Sequence, residues 1–291
     1  MYNAAEKLKR ALQSLTTQTY KNFEVIIADD GSSDASGQIV DSFKNQLDII
    51  YVWNKKWGGP ARPRNIGLQL ARAESIAFLD ADDWWYPQKL EIVKQFIGTS
   101  DIIFHDLDIY TPKGKRAFRK VRGRKLREPV FVDLMTNENA LITSSVITTK
   151  TILKRCDGFN EENFTCVEDF DLWLRIAQIT QKFTYIPRAL GAYWIDSHSV
   201  SAPSEKIAER IQFVYEKFSH YLNSSEKKQA LAVMNYLLAR TNQRMGRLDR
   251  ATFLFRKSLQ STNMKFKIRS FLWILLLFPS TVFSRKQKKH N

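Results

Sequence analysis

Cysteine is nearly absent. The 291 residues hold two, Cys156 and Cys166. No histidine pair stands near them, and their spacing does not match a zinc site. A disulfide framework is therefore excluded, and both read as free thiols of a reducing compartment. The N-terminus lacks the basic, apolar and cleavage-site regions of a signal peptide. An RNA-binding aromatic motif, a helix-turn-helix and a zinc finger are all missing, so no nucleic-acid partner is expected. No uninterrupted apolar run approaches the roughly 20 residues of a spanning helix.

What is present is a real core and an excess of positive charge. Hydrophobic residues make up 44% of the chain, and the formal net charge is +15. Residues 113–127 (KGKRAFRKVRGRKLR) hold nine Lys or Arg and no acid, and the last seven residues hold four more. Such a balance points to anionic partners such as nucleotides or lipid headgroups. A solvated loop and tail explain the two runs equally well.

The chain is organised around FLDADDWW, residues 78–85. The apolar run Ser75 to Leu79 reads as a short buried strand. It ends in Asp80, Asp82 and Asp83, three carboxylates within four residues. Carboxylates this close repel one another unless a positive charge intervenes. A hard divalent cation, Mg²⁺ or Mn²⁺, supplies that charge and can bridge to a diphosphate. Ligands of open α/β sheets bind beyond the carboxyl ends of strands, which is where these residues fall.

Upstream, residues 4–19 carry Ala5, Leu8, Leu12 and Leu15 at helical spacing. Phe23 to Ala28 suits a buried strand, and ends in Asp29, Asp30 and a Gly-Ser-Ser-Asp turn. A helix over 35–46 and a strand over 48–53 follow. NKKWGGPARPRN reads as a loop, with a helix beginning at Ile66. This alternation is the rhythm of a parallel α/β sheet. Downstream, a helix runs from Pro87 to about Ile97 and a strand covers 101–108. The basic run is a loop or hairpin, and 139–155 is a strand feeding a short helix. A helix starts at about Glu168, and two closing strands lie at 183–186 and 190–195.

Composition changes near Ala202. Residues 205–259 are helical throughout by pattern. LLARTNQRMGRLDRATFLFRKSLQ is similar to a single tetratricopeptide hairpin, with Gly246 at the turn and Ala251 and Phe255 at packing positions. Residues 270–284 (SFLWILLLFPSTVFS) are nearly all apolar, too short to span and interrupted by Pro279, with basic residues on both sides. They read as an interfacial membrane anchor. The expected division is a sheet domain over 1–202, a helical extension over 203–262 and a membrane-association tail over 263–291.

These segments together resemble a family 2 glycosyltransferase of the GT-A fold. The resemblance covers about residues 2–201. ADDGSSD is similar to the nucleotide-binding segment, GGPARPRNIGLQLA to the loop and helix before the metal motif, and FLDADDWWYPQKL to the DxD site. SSVITTKTILKRCDGFNE is similar to the acceptor-side segment, and VEDFDLWLRI to the ED motif. The implied architecture is a mixed, mostly parallel Rossmann-like sheet flanked by helices, with a helical appendage.

The resemblance implies the following roles. Asp30 accepts a hydrogen bond from the base of the nucleotide. Arg62, Arg64 and Asn65 lie in the loop facing the nucleotide, although an ion pair to the acidic loop suits one arginine equally. Asp80 sits nearer ribose and donor, Asp82 contacts the metal, and Asp83 caps the next helix. Asp169 is the general base, with Glu168 as the alternative. Asp171 faces solvent or caps, and Arg175 reaches phosphate or pairs with Asp171.

Two departures stand out. Relatives carry a metal-completing histidine after the last strand; here Asp196 falls at that place and His198 two residues on. Asp196 is the expected ligand. Relatives also begin with an apolar strand before Tyr-Asn, and this chain starts at Met1-Tyr2-Asn3. Loss of a central strand leaves neighbouring ladders unpaired and apolar surface exposed, so an upstream start or a truncated remnant is expected.

The expected function is metal-dependent, inverting transfer of one sugar from a nucleotide-diphosphate donor, UDP-linked, to a surface-polysaccharide or lipid-linked acceptor. The expected place is cytoplasmic, peripheral or monotopic at the inner face of the plasma membrane. The basic run at 113–127 is a candidate for holding a lipid-linked diphosphate. The competing reading is a truncated, non-catalytic membrane-associated scaffold. A nucleotidyltransferase would need a Gly-rich phosphate loop after its first strand, and none is present.

Overall fold

A computed structural model describes residues 1–162, 167–196 and 203–287, and their side chains except those of 117–119 and 278–287. Two compact units form. One comprises Met1–Val130 and Ala140–Ser199, the other Phe131–Asn139 and Val200–Asn291. The expected division at residue 202 did not foresee that residues 131–139 belong with the helical unit.

The first unit opens with α1 (Ala5–Thr16), whose Leu8, Ala11, Leu12 and Leu15 are buried. Burying each leucine contributes roughly 1.5–3 kcal/mol. There follow β1 (Val25–Asp29), α2 (Ser36–Asp41), β2 (Ile49–Trp53), α3 (Ala61–Leu70), β3 (Ser75–Ala77), β4 (Trp84–Trp85) and α4 (Lys89–Lys94). Next come β5 (Ile102–Thr111), β6 (Gly114–Val121), β7 (Ile147–Thr149), α6 (Lys150–Arg155), α7 (Glu168–Ala177) and β8 (Phe183–Trp194), while α5 (Val130–Asn137), between β6 and β7 in the chain, belongs from Phe131 on to the second unit. Cores form around Leu8, Leu12, Val40, Phe43 and Trp85, and around Val93, Ile103, Ile147, Ile186 and Leu190.

The strands make two sheets. One is the parallel pair β1–β2; the other runs β3-β7-β5-β8-β4, with β6 on β5. The mixed α/β class is as expected, but its parallel share is smaller. Only β1–β2 and β5–β8 are parallel among the described pairings. The pairs β3–β7, β5–β7, β5–β6 and β4–β8 are antiparallel, and of these strands the two-residue β4 is too short for periodicity to show. The two closing strands expected at 183–195 are one, β8, whose register shifts against β5 absorb Pro187.

β1 and β3 each end a sheet. Met1 lies beside β1 in parallel register: its N–H donates to Ala28 O at 2.7 Å, and its carbonyl accepts from Asp30 N at 2.8 Å. Val25 and Ile26 on β1, and Ile76 on β3, are only half-buried.

The basic run forms a hairpin with β5 through β6. Lys115 is ion-paired with Asp108 at 2.5 Å. Lysines and arginines along this edge discourage further strand pairing.

The second unit holds α8 (Glu205–Phe218), α9 (Ser224–Arg244), α10 (Leu248–Ser258) and α11 (Met264–Gln287). A capping box between Asn223 and Glu226 starts α9. Gly246, at φ +77°, turns the chain into α10, where Ala251 and Phe255 are fully buried. No helix among the described residues is long and apolar enough to cross a membrane.

Candidate active site

The site begins at the end of β3. Asp80 sits on the turn that follows, its N–H donating to Ser144 Oγ at 3.1 Å. Its carboxylate meets Arg64 at 2.7 Å, and the other end of the same guanidinium meets Glu168 Oε1 at 2.7 Å. Arg64 thus joins the acidic turn to the start of α7. Charge from Asp80 and Glu168 raises its pKa despite the opposing cost of burial. Bidentate use of a planar guanidinium is a role lysine cannot copy.

Arg64 reaches both acids from a helix, not from the expected loop. α3 begins at Ala61, and Pro63 lies within its first turn. An N–H is not needed there, so proline is tolerated. The helix disperses the other two candidates. Arg62 is exposed and lies 4.4 Å over the ring of Trp57. Asn65 clamps the loop before α7: its amide donates to Phe159 O at 2.8 Å and Glu161 Oε1 at 2.9 Å, and its oxygen accepts from Phe159 N at 2.8 Å. Gly158, at φ +67°, lets that clamp close, since an added Cβ would fall 2.5 Å from Asn65 Oδ1.

Asp30 is also committed. Its oxygens accept from Trp57 N at 2.7 Å and Gly58 N at 2.9 Å, fixing the segment that leads into α3. Each oxygen keeps a further lone pair. Asp29, which sequence reasoning passed over, accepts from Ser32 and from the Tyr51 hydroxyl.

Glu168 and Asp169 divide. Glu168 is buried against Arg64. Asp169 Oδ2 accepts from Thr143 Oγ1 at 3.0 Å, and Oδ1 from Phe170 N at 2.7 Å. Burial and the neighbouring Glu168 push the Asp169 carboxyl up to about 7, against the pull of Arg64 and Thr143. A carboxyl that titrates near neutrality, with a lone pair left on each oxygen, is equipped to take a proton.

Thr143 and Ser144 were missed. Both are buried on a single 3₁₀ turn, Thr143–Ser145, which holds Asp169 with one hydroxyl and the Asp80 backbone with the next. The Ser144 carbonyl also accepts from Trp85 Nε1 at 2.9 Å. The one sequence signal is a Thr-Ser-Ser run after apolar residues 140–142, which supplies hydroxyl donors at a buried turn.

Asp82 is set by burial and by the charges around it. Burial, Asp80 and Asp196 raise its pKa to about 6, with Lys7 acting the other way. Asp83 does not cap α4. It is buried and accepts from Trp194 N at 2.8 Å, fastening the turn to the end of β8. Asp196 is ion-paired with Lys7 at 2.6 Å and accepts from Trp194 Nε1 at 2.9 Å. Arg10 lies between the rings of Trp84 and Trp194, 3.8 and 4.4 Å from their centres, and donates to Asp82 O. His198 and Cys166 fall outside the described residues.

Among the described residues, no three acidic, histidine or cysteine side chains converge as a self-sufficient metal cage. Asp80 is held by Arg64 and Asp196 by Lys7, which leaves Asp82. Mg²⁺ and its like are commonly held by one or two carboxylates, substrate phosphates and water. The donor set fits a cation that shares its coordination with a diphosphate.

Further down α7 the chemistry ends. Asp171 is fully buried and pairs with Arg175 at 2.8 Å, so it neither faces solvent nor caps. Trp173 and Leu174 are core.

Two acidic turns joined through Arg64 thus lie at the end of a mixed α/β sheet. Residues 1–155, just over half of the chain, match the model of glycosyl transferase family 2, and the chain belongs to that family. It is 30% identical over 177 residues to the Escherichia coli UDP-Glc:alpha-D-GlcNAc-diphosphoundecaprenol beta-1,3-glucosyltransferase, covering 60% of this chain and 66% of that one. The chain spans between 29% and 66% of the length of the curated relatives it matches. Among solved structures, residues 1–349 of Staphylococcus aureus TarS with UDP-GlcNAc superpose with a TM-score of 0.67 at 18% identity, over 99% of this chain and 90% of that chain. The Pyrobaculum calidifontis mannosyltransferase with GDP-Man and Mn²⁺ superposes at 0.61 and 15% identity, over 98% and 85%. Both likenesses establish the fold.

Proposed function

We propose that the chain transfers one sugar from a nucleotide-diphosphate donor to a hydroxyl acceptor, with inversion at the anomeric carbon. The observation that carries this is Arg64, which brings the Asp80 turn and the Glu168-Asp169 pair into one site. Glu168 is spent on Arg64, so Asp169 is the base. Asp169 takes the proton of the acceptor hydroxyl as its oxygen attacks the anomeric carbon; the bond to the diphosphate breaks, and nucleoside diphosphate leaves. Thr143 holds the carboxylate in position for that transfer. Asp82 would hold Mn²⁺ or Mg²⁺ together with the donor diphosphate, with Asp196 available once Lys7 releases it. The ion, when bound, neutralises the departing charge. Asp30, by fixing residues 57–58, shapes the rim on which the nucleotide base rests.

A UDP-linked donor and a lipid-diphosphate acceptor are the favoured pair. The name of the E. coli relative carries both, and the TarS structure contains a UDP-sugar. The acceptor places the enzyme at a membrane surface. The sheet domain is proposed to carry the chemistry, and the helical part after residue 202 to present it.

A thermal-shift panel tests this reading, with UDP, GDP, dTDP and CMP, each with Mn²⁺ or chelator, on the wild type and Asp82→Ala. Stabilisation by UDP that disappears with chelator and in the variant is expected. Indifference to every nucleotide would favour the non-catalytic scaffold.

A further inference from the structure

We propose that the outward face of α11 is a membrane-docking surface that lies along an anionic lipid interface. Among its described side chains, α11 has one face packed within the helical unit and an apolar face that is exposed. Phe266, Ser270 and Leu277 are buried. Phe266 meets Tyr236, and Trp273 stacks on Phe255 and under Arg240. The opposite stripe is Met264, Ile268, Phe271, Leu272, Leu275 and Leu276, each 52–65% exposed. Their spacing keeps them on one side over about 18 Å of helix. Apolar patches of this kind mark interaction sites.

Charge selects the occupant. α11 contains no Asp or Glu, while Lys265, Lys267 and Arg269 lie at its start and Arg285 and Lys286 near its end, with Lys288 and Lys289 beyond. A second copy set against this face would bring like charges together at both ends, in either orientation, which costs energy. An anionic bilayer answers both features, because its headgroups attract the lysines and arginines and its acyl boundary takes the apolar stripe. α11 is not apolar enough to span, which leaves it parallel to the surface. This inference stands apart from the catalytic reading.

The test is co-sedimentation of the full chain with vesicles of phosphatidylcholine alone or with one quarter phosphatidylglycerol, at low and high salt. Expected is partitioning onto the anionic vesicles, weakened by salt, and reduced roughly tenfold in Leu272→Glu/Leu276→Glu with an unchanged melting temperature. If that variant does not fold, Lys265→Glu/Lys267→Glu serves, with the same loss expected. Failure of the wild type to partition onto anionic vesicles would overturn the proposal. So would a lipid-free dimer that the leucine variant dissociates, since the face would then be a self-interface.

Discussion

Arg64 Nη1 lies 2.7 Å from Glu168 Oε1, across 104 residues of chain. The pair is nearly buried, with side chains 14% and 6% exposed. Removing one partner of such a pair strands the other charge. Arg64→Ala is therefore expected to cost about 3–5 kcal/mol in urea unfolding. Arg64→Lys should recover part of that, because an ammonium cannot serve Asp80 and Glu168 together with the same geometry. A cost below about 1 kcal/mol would show that the pair does not support the site.

Asp169 must be ionised to accept a proton. Its carboxyl titrates at about 7, so kcat/KM should rise with pH through that region and level off above it. Asp169→Asn should lower kcat by roughly 10²–10⁴-fold. Stability moves in the opposite sense. The folded carboxyl is raised above its unfolded value of about 3.9, so the fold binds the extra proton, and stability falls as pH rises from about 4 to about 7. The Asn variant should lack that component in melts across the same range.

Thr143 donates to Asp169 Oδ2, which favours the charged form. Thr143→Val should move the acidic limb of the kcat/KM profile to higher pH while leaving donor affinity in place. Thr143→Ser should restore it. An unmoved limb in the valine variant would reduce Thr143 to a packing role.

Lys89 is wholly buried, and its ammonium nitrogen has no hydrogen-bond partner, lying 3.1 Å over the ring of Trp85. Burial drives its pKa well below the usual lysine value. The unfolded chain then holds a proton that the fold resists, so wild-type stability should rise as pH climbs toward about 10.4. Lys89→Met should add ~1–4 kcal/mol near neutrality and flatten that rise, as read by denaturant midpoints.

Local pattern alone determined much here. Leu8, Leu12 and Leu15 announced α1 by spacing, and the apolar runs before Asp29 and Asp80 announced strands, although β3 stops at Ala77 and leaves Asp80 on the turn beyond it. The order of these segments resembled one family, and the family comparison agrees. Such features are local: period, turn chemistry and charge density are written in contiguous residues.

What tertiary structure decided was the use of each acid. Asp30, Asp80, Asp82, Asp83, Glu168 and Asp196 look alike in sequence. Asp30 is held by Trp57 and Gly58, Asp80 and Glu168 by Arg64, Asp83 by Trp194 and Asp196 by Lys7, while Asp82 is acted on by the charges of Asp80, Lys7 and Asp196. Most of these lie far along the chain, and no spacing rule links Arg64 to Glu168 or Thr143 to Asp169. A carboxylate's role follows from what surrounds it, and only the folded chain engages Glu168 with Arg64 while holding Asp169 beside it through the Thr143 hydroxyl.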